Sequence, residues 1–171
     1  MKIFQRLFRY LMMYKYPKHL YIKGRKKLPI KKLSANDKLF HGFDDYDINE
    51  VGQIKLESIR FPDFSCNWSL FSYPKDVRYR KNGNLTDGCY SFLVNTARYK
   101  KYATPVHDPI FDKKCPNYSH VEVRELRDGE DILTEPPKGR SKKKSKLAKS
   151  QRLEYRQNLL LNSIIELNIE E

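Results

Sequence analysis

The side chains best suited to chemistry lie between residues 104 and 124, in the segment TPVHDPIFDKKCPNYSHVEVR. His107 and His120 are its two imidazoles, and imidazole exchanges protons near neutral pH. If the fold brings them together, one can accept a proton from an attacking hydroxyl and the other can protonate the leaving oxygen of a phosphodiester. A nearby Lys or Arg would stabilise the developing negative charge. The alternative is that both histidines hydrogen-bond to the backbone of loops.

The end of this segment predicts a strand, because apolar and polar residues alternate from His120 to Arg124. The period of two places Glu122 on the same face as His120. Asp108 follows His107 directly, but neighbouring residues of a strand point to opposite faces. These two side chains therefore need not touch each other.

A second group of polar side chains surrounds the single tryptophan, in the segment FPDFSCNWS of residues 61–69. Aromatic residues around small polar groups can form a binding pocket. Asp63, Ser65 and Asn67 join His107 and His120 as the candidate catalytic residues. The alternative is a loop anchored in the core by its aromatic rings, with Asp63 or Ser65 capping a helix. Cys66 is a possible nucleophile if its thiol ionises.

No metal or other cofactor is expected, although two groups of potential ligands are present. One group has imidazole and thiol side chains whose spacing fits no standard zinc motif: His41, His107, Cys115 and His120. The other has three carboxylates without the spaced ligands and the glycine of an EF-hand loop: Asp44, Asp45 and Asp47. We expect the second group to form a helix cap and a solvated turn.

The net charge of +13 is distributed unevenly along the 171 residues. Residues 1–36 contain eleven basic and no acidic residues. Residues 37–135 contain fourteen basic and seventeen acidic residues, and residues 136–171 contain nine basic and four acidic residues. This division predicts a basic N-terminal helix and connector, an α+β core domain, and a basic linker with a C-terminal helix. Basic ends favour contact with phosphates of nucleic acid or of an anionic membrane. A lysine-rich composition can also reflect an AT-rich genome.

The residues predicted to contact RNA or DNA are the clustered cations of these two ends. They are Arg25, Lys26, Lys27, Lys31, Lys32, Lys142, Lys143, Lys144 and Lys146. Tyr21 lies close to the first cluster and offers a ring on which a base could stack. The alternative is that both clusters are solvated surface.

The fold class predicted from the hydrophobic pattern is α+β, with a small mixed or mostly antiparallel sheet and a helix at each end. Strands are predicted over residues 38–43, 53–61, 88–99 and 120–124. Residues 1–16 predict an amphipathic helix, which Pro17 ends. Residues 151–169 predict a second one, with its apolar stripe at Leu153, Leu160, Ile164 and Leu167. This C-terminal helix should pack on the sheet or bind a protein partner.

A reducing, cytoplasmic environment is expected, because the three cysteines are an odd number and form no CxxC pair. No apolar stretch approaches the ~20 residues that a membrane-spanning helix needs. No signal peptide is expected either, since arginines interrupt the apolar N-terminal stretch.

Four motifs between residues 39 and 124 occur in an order that resembles a group of small bacterial proteins whose activity is not established. The motifs are FPDFSCNW, SYPKDV, GCYSFLV and the pair HDP and NYSH. The predicted strand order, with Glu122 or Glu125 near a late strand, also resembles an ADP-ribosyltransferase. That resemblance implies a nicotinamide dinucleotide as substrate. It also implies that His41 takes the place of the arginine or histidine that these enzymes carry on their first strand.

We therefore expect a cytoplasmic nucleic-acid-binding protein whose middle segment could carry a metal-independent, ribonuclease-like site. One alternative is an ADP-ribosyltransferase-like enzyme. The other is a non-catalytic component of a larger nucleoprotein assembly.

Overall fold

A computed structural model describes residues 30–77, 86–110, 117–127, 130 and 144–168. In this part of the chain, six strands form one sheet: β1 (Lys38–Phe43), β2 (Asp63–Trp68), β3 (Gly88–Leu93), β4 (Ala103–His107), β5 (His120–Glu125) and β6 (Ile164–Leu167). The helices are α1 (Pro74–Val77), α2 (Val94–Ala97) and α3 (Lys149–Leu161), with short 3-10 turns at Asp45–Asp47, Leu56–Ser58 and Tyr99–Lys101. The strand order is β4-β5-β2-β1-β3-β6, and every neighbouring pair is antiparallel. The fold is therefore α+β, as the sequence predicts.

One face of the sheet carries the hydrophobic core. Alternate positions of the four central strands point towards it, as the period of two requires. The buried side chains on this face are Leu39, Phe43, Phe64, Cys66, Trp68, Tyr90, Phe92, Val121 and Val123. Helix α3 adds the fully buried Tyr155 and Leu159 to the same cluster.

The C-terminal segment differs from the helix predicted over residues 151–169. Helix α3 ends at Leu161, and Ile164–Leu167 pairs with β3 as strand β6. The predicted apolar stripe is wrong as well, because Leu153 is 45% exposed and Ile164 is 63% exposed. Two adjacent β-branched isoleucines favour an extended backbone after Asn162, which explains why the helix does not continue. Partner binding through this helix stays a prediction.

The strand predicted over residues 53–61 is also wrong. Ile54 forms only an isolated bridge with Ile48, and the 3-10 turn follows it directly. The side chain of Asn49 accepts hydrogen bonds from the backbone N–H groups of Val51 and Gln53, at 3.1 and 2.8 Å. These bonds fold residues 49–53 into a tight turn, a role typical of asparagine. The 3-10 turn at Leu56–Ser58 then interrupts the rest of the predicted strand.

The predicted N-terminal helix, residues 1–16, lies outside the described residues. In the part that is described, no helix combines the length and apolar character needed to cross a bilayer.

A charged contact connects the edge strand β6 to β1 and β3. Glu166 accepts hydrogen bonds from the Lys38 ammonium group at 2.8 Å and from the Ser91 hydroxyl at 2.6 Å. Burial alone would raise the pKa of Glu166, but these two hydrogen bonds and the Lys38 charge outweigh it and hold the pKa below its ordinary value. Because the folded-state pKa is lowered, the ion pair stabilises the fold above the ordinary pKa of 4.5 and loses this effect as the pH falls through the folded-state value.

Glu166→Gln should therefore lower the free energy of unfolding by about 0.5–1 kcal/mol near neutral pH, the range of a partly exposed ion pair. The difference from the unmodified chain should shrink as the pH falls below about 4. Urea unfolding followed by circular dichroism at both pH values measures it. A difference that stays constant with pH would show that Glu166 acts through its shape and not its charge.

Candidate functional site

Strand β2 presents a row of polar side chains to the sheet face opposite the core. The segment predicted as an anchored loop is a strand, so that prediction is wrong, and its letters DFSCNW alternate polar and apolar throughout. Strand β5 pairs with it and contributes a second polar row on the same face. The cross-strand pairs are Asp63 with Arg124, Ser65 with Glu122, and Asn67 with His120.

His120 is the central side chain of this polar face. Its Nδ1 lies 2.6 Å from the backbone carbonyl oxygen of Asp108 and donates a hydrogen bond to it. Its Nε2 lies 3.3 Å from Oε2 of Glu122, which the strand period places beside it. Burial alone would lower the pKa of His120, but the hydrogen bond and charge of Glu122, helped by Asp108, hold it above the ordinary value.

Two further contacts connect the neighbouring strands. Arg124 donates a hydrogen bond to Oδ2 of Asp108 at 3.0 Å, an ion pair in which the guanidinium is largely buried. The Ser65 hydroxyl lies 3.4 Å from Oε2 of Glu122 and donates to it. Burial and the charge of Glu122 raise the pKa of the Asp63 carboxyl, against the opposing effect of Arg124. We name Asp63, Asp108, His120, Glu122 and Arg124 the β5 cluster.

The β5 cluster can be reached from solvent. The side chains of His120 and Arg124 are each only 11% exposed, but that of Asp108 is 34% exposed and Ser65 is an exposed residue. A shallow depression beside the cluster is lined by Pro62, Asp63, Arg124, Glu125 and Arg127.

Three members of the cluster have the geometry of a metal-binding group. Ligand atoms of Asp108, His120 and Glu122 all lie within 4.8 Å of one another, and no other such group occurs among the residues that the structure describes. This set is not the zinc set considered from the sequence, because two of its three members are carboxylates.

The chain matches no protein-family model, no curated protein and no solved structure. The likeness of residues 39–124 to small bacterial proteins therefore stays a prediction.

His107 and His120, expected to act as a pair, lie on opposite faces of the sheet. His107 pairs with Val121 across β4 and β5, so it points to the core face, where it is fully buried. Its Nδ1 accepts a hydrogen bond from the backbone N–H of Lys31 at 3.0 Å, and its Nε2 donates to the carbonyl of Tyr118 at 2.7 Å. Both nitrogens of His107 thus form hydrogen bonds with the backbone, which is the alternative role predicted from the sequence.

His41 and Cys66 also belong to the core face. Nδ1 of His41 donates to the carbonyl of Ser65 at 2.7 Å, at the point where the ladder between β1 and β2 ends. Burial raises the pKa of the Cys66 thiol well above its ordinary value, which disfavours a nucleophilic thiolate. His41 and Glu122 lie on opposite faces, whereas Glu125, the other glutamate offered by the resemblance to ADP-ribosyltransferases, shares the face of His41 and accepts hydrogen bonds from Ser145 and Lys146. The ADP-ribosyltransferase-like alternative stays a prediction.

Asn67 serves the architecture of this face. Its side-chain NH₂ group donates to the Ser72 hydroxyl at 3.3 Å, and its carbonyl oxygen accepts from Asn117 at 2.9 Å. Asn117 in turn accepts from the backbone N–H of Ser119 at 3.0 Å. This network fixes two loops to the end of β2.

The basic residues predicted to contact nucleic acid are described only in part. Arg25, Lys26, Lys27, Lys142 and Lys143 lie outside the described residues. The others are exposed: Lys31, Lys32, Lys144 and Lys146.

The described ends of the two basic segments contact the two ends of one strand pair. Lys31 binds His107 through its backbone, at the end of the β4–β5 ladder where β5 begins. The backbone N–H of Lys146 donates to Oε1 of Glu125 at 2.6 Å, where β5 ends, and the Ser145 hydroxyl donates to the other oxygen of the same carboxylate. The basic segments therefore reach both ends of β5, but through His107 and Glu125, whose side chains point to the face opposite the β5 cluster.

Sequence reasoning placed Glu122 beside His120 but did not select Asp108, Glu122 or Arg124 as site residues. The alternation of HVEVRE could have added Arg124, since it shares a face with the other two. Asp108 could not be found this way, because its contact with Arg124 depends on the register between β4 and β5.

Proposed function

We propose that this protein binds nucleic acid along strand β5 and cleaves a phosphodiester bond held at the β5 cluster. The observation that carries the proposal is the position of the basic segments, which meet β5 at both of its ends. Exposed lysines at these points can bind phosphates through charge. The polar side chains between them form the β5 cluster.

The dimensions of the strand suit this arrangement. Six residues of an extended strand span about 20 Å, at roughly 3.3 Å per residue. A nucleic-acid strand of that length carries several phosphates, since a duplex strand advances about 3.4 Å per nucleotide. The length of β5 between the two basic segments therefore matches a short stretch of nucleic acid, which reaches the β5 cluster by passing around one end of the strand pair.

The chemistry of cleavage needs a proton acceptor for the attacking oxygen and a positive charge facing the phosphate. Arg124 supplies a guanidinium group, which matches the geometry of phosphate oxygens. The carboxylates of Asp63 and Glu122 supply acceptor atoms for the proton of the attacking hydroxyl, and protonated Nε2 of His120 can donate a proton to the leaving oxygen. This arrangement replaces the His107–His120 pair, which the fold separates.

The binding part of the proposal predicts steep salt dependence. Binding of labelled single-stranded RNA and DNA should weaken as salt rises, with a slope of about 0.7 per phosphate contact on logarithmic axes. The double variants Lys31→Gln/Lys32→Gln and Lys144→Gln/Lys146→Gln should each reduce this slope by about 0.7 per lysine that contacts a phosphate.

The matched control is Lys55→Gln. Lys55 is an exposed lysine on the connection between β1 and β2, where its ammonium group donates to the carbonyl of Tyr46 at 2.7 Å. Its replacement should leave the slope unchanged. An equal loss of slope per lysine removed in all three variants would mean that the protein responds to total charge and has no binding track along β5.

The cleavage part is tested on the same probes by gel electrophoresis. His120→Gln should slow cleavage by about 100-fold, the lower range for loss of a positioned catalytic group, without changing the salt slope of binding. Glu166→Gln, which alters the same sheet face at its far edge, is the control. Salt-sensitive binding with an intact probe would favour the non-catalytic nucleoprotein component.

Cytoplasmic function forms part of the proposal. Cys66 and Cys89 are both buried and free of disulfide bonds, as suits a reducing compartment.

A further inference from the structure

We propose that Asp108, His120 and Glu122 bind a divalent cation of the first-row transition series, of the Mn²⁺ or Zn²⁺ type. The binding stands on the geometry of these three side chains alone. The role that we assign to the cation rests on the proposed function: it binds a phosphate oxygen, and while it occupies Nε2 of His120 it replaces that imidazole as the group that stabilises the leaving oxygen.

The distances are those of neighbouring ligands around one ion. Metal–ligand bonds to imidazole nitrogen and carboxylate oxygen are about 2.1 Å long, so two ligands at a tetrahedral angle lie about 3.4 Å apart. Nε2 of His120 and Oε2 of Glu122 are 3.3 Å apart. A carboxylate oxygen of Asp108 lies no farther than 4.8 Å from the other ligand atoms, so at most a small shift of its side chain brings it into the coordination sphere.

The orientation of His120 leaves Nε2 as the ligand atom. Its Nδ1 donates to the backbone carbonyl of Asp108, and a hydrogen bond of this kind fixes the tautomer of metal-binding histidines. In the neutral imidazole, the lone pair of Nε2 then faces an oxygen of Glu122, so two acceptor atoms face each other. Either a proton on Nε2, which makes a charged hydrogen bond to Glu122, or a divalent cation satisfies both acceptor atoms, and the cation replaces that proton when it binds.

The charges of the β5 cluster also favour a bound cation. The β5 cluster contains three carboxylates, those of Asp63, Asp108 and Glu122, and one guanidinium, that of Arg124, while Arg127 lines the depression beside it. A phosphate that approached these carboxylates directly would be repelled. A divalent cation balances the negative charge of its carboxylate ligands, and a phosphate oxygen can then coordinate the cation.

The Thr104 hydroxyl provides an observation outside the ligand group. Thr104 lies opposite Arg124 in the ladder between β4 and β5, on the same sheet face as the cluster. It is fully buried, and its oxygen has no hydrogen-bond partner among the residues that the structure describes. A buried hydroxyl without a partner is unfavourable, so Thr104 marks a second polar group on this face beside Arg124.

The mixture of ligand atoms selects the class of ion. Calcium takes six to eight oxygen ligands, and magnesium is usually held by carboxylates and water. Imidazole together with carboxylates favours manganese, iron or zinc. One nitrogen and two oxygens also leave coordination positions open, as at metal sites that bind a substrate.

The test is a direct measurement of cation binding by the full chain. Titration with Mn²⁺, followed by electron paramagnetic resonance of the free ion, gives the affinity, and Zn²⁺ and Ca²⁺ are added as competitors. Glu122→Gln and His120→Gln should each weaken Mn²⁺ binding by at least about 10-fold, the effect seen even for outer-shell changes at metal sites. Glu166→Gln, a carboxylate on the same face but outside the group, should leave it unchanged.

The outcomes separate this proposal from the proposed function. Equal Mn²⁺ binding by all four proteins, or none by the unmodified chain, overturns the cation site, and displacement of Mn²⁺ by an equal concentration of Ca²⁺ overturns its assigned class. Cation binding that depends on Glu122, with no cleavage of RNA or DNA, keeps the site and overturns the cleavage. Cleavage that is unaffected by a chelator keeps the proposed function and overturns the role of the cation.

Discussion

Tyr155→Ala should lower the free energy of unfolding by about 3–5 kcal/mol, the range for deleting a large buried aromatic side chain. Tyr155 is fully buried, and its ring lies 5.2 Å from that of Phe61 in an edge-to-face contact. Its hydroxyl donates to the carbonyl of Ala97 at 2.9 Å, which ties helix α3 to helix α2. The substitution leaves a cavity between α3 and the sheet and removes this tie. Urea unfolding followed by circular dichroism measures the loss.

Leu153→Ala is the matched control on the same helix. The apolar pattern of the sequence places Leu153 in the buried stripe, but the structure leaves it 45% exposed. Its replacement should change the free energy of unfolding by less than about 0.5 kcal/mol, as for other surface positions. A larger loss from Leu153→Ala than from Tyr155→Ala would mean that α3 presents its other side to the sheet.

The helix predicted over residues 151–169 is too long for a physical reason that a local sequence pattern does not show. Leu160, Leu161, Ile164 and Ile165 fit a helical period, but the same four residues also fit a helix followed by a strand. The choice depends on β3, whose open edge accepts Ile164–Leu167 by antiparallel pairing. A contact between residues more than 70 positions apart cannot be read from a local pattern.

Local alternation did predict β5, one of the two strands on which the site is built. The segment HVEVRE shows a period of two that sets His120 and Glu122 on one face, and the structure confirms that arrangement. DFSCNW shows the same period, yet its aromatic rings also fit a loop anchored in the core. Asp63 and Ser65 were thus selected as candidates for their chemistry, while the strand that aligns them with β5 was missed.

The separation of the two histidines lay beyond any local pattern. It depends on the β4–β5 register, in which His107 faces Val121, and a shift by one residue would exchange the faces. The contact of Asp108 with Arg124 depends on the same register. Sequence reasoning can therefore propose which residues carry chemistry, whereas only the paired strands decide which of them meet.

His107→Ala should lower the free energy of unfolding by about 3 kcal/mol. The substitution removes a fully buried ring that packs 5.3 Å from Trp68 and 5.0 Å from Tyr118, measured between ring centroids. It also leaves the backbone N–H of Lys31 and the carbonyl of Tyr118 without their partner, and each such loss costs about 1–3 kcal/mol when the group stays buried. Chemical unfolding near pH 7.5 measures this difference.

The pH dependence of this difference distinguishes a structural imidazole from a catalytic one. Burial lowers the pKa of His107 below its ordinary value of 6.5, so the unfolded chain binds a proton more readily than the folded one. The stability of the unmodified chain should therefore fall as the pH drops below about 6.5, and His107→Ala should remove that part of the fall. His120→Gln, by contrast, should affect cleavage and cation binding far more than unfolding. Equal effects of the two substitutions on cleavage, with both proteins folded, would restore the two histidines as one catalytic pair.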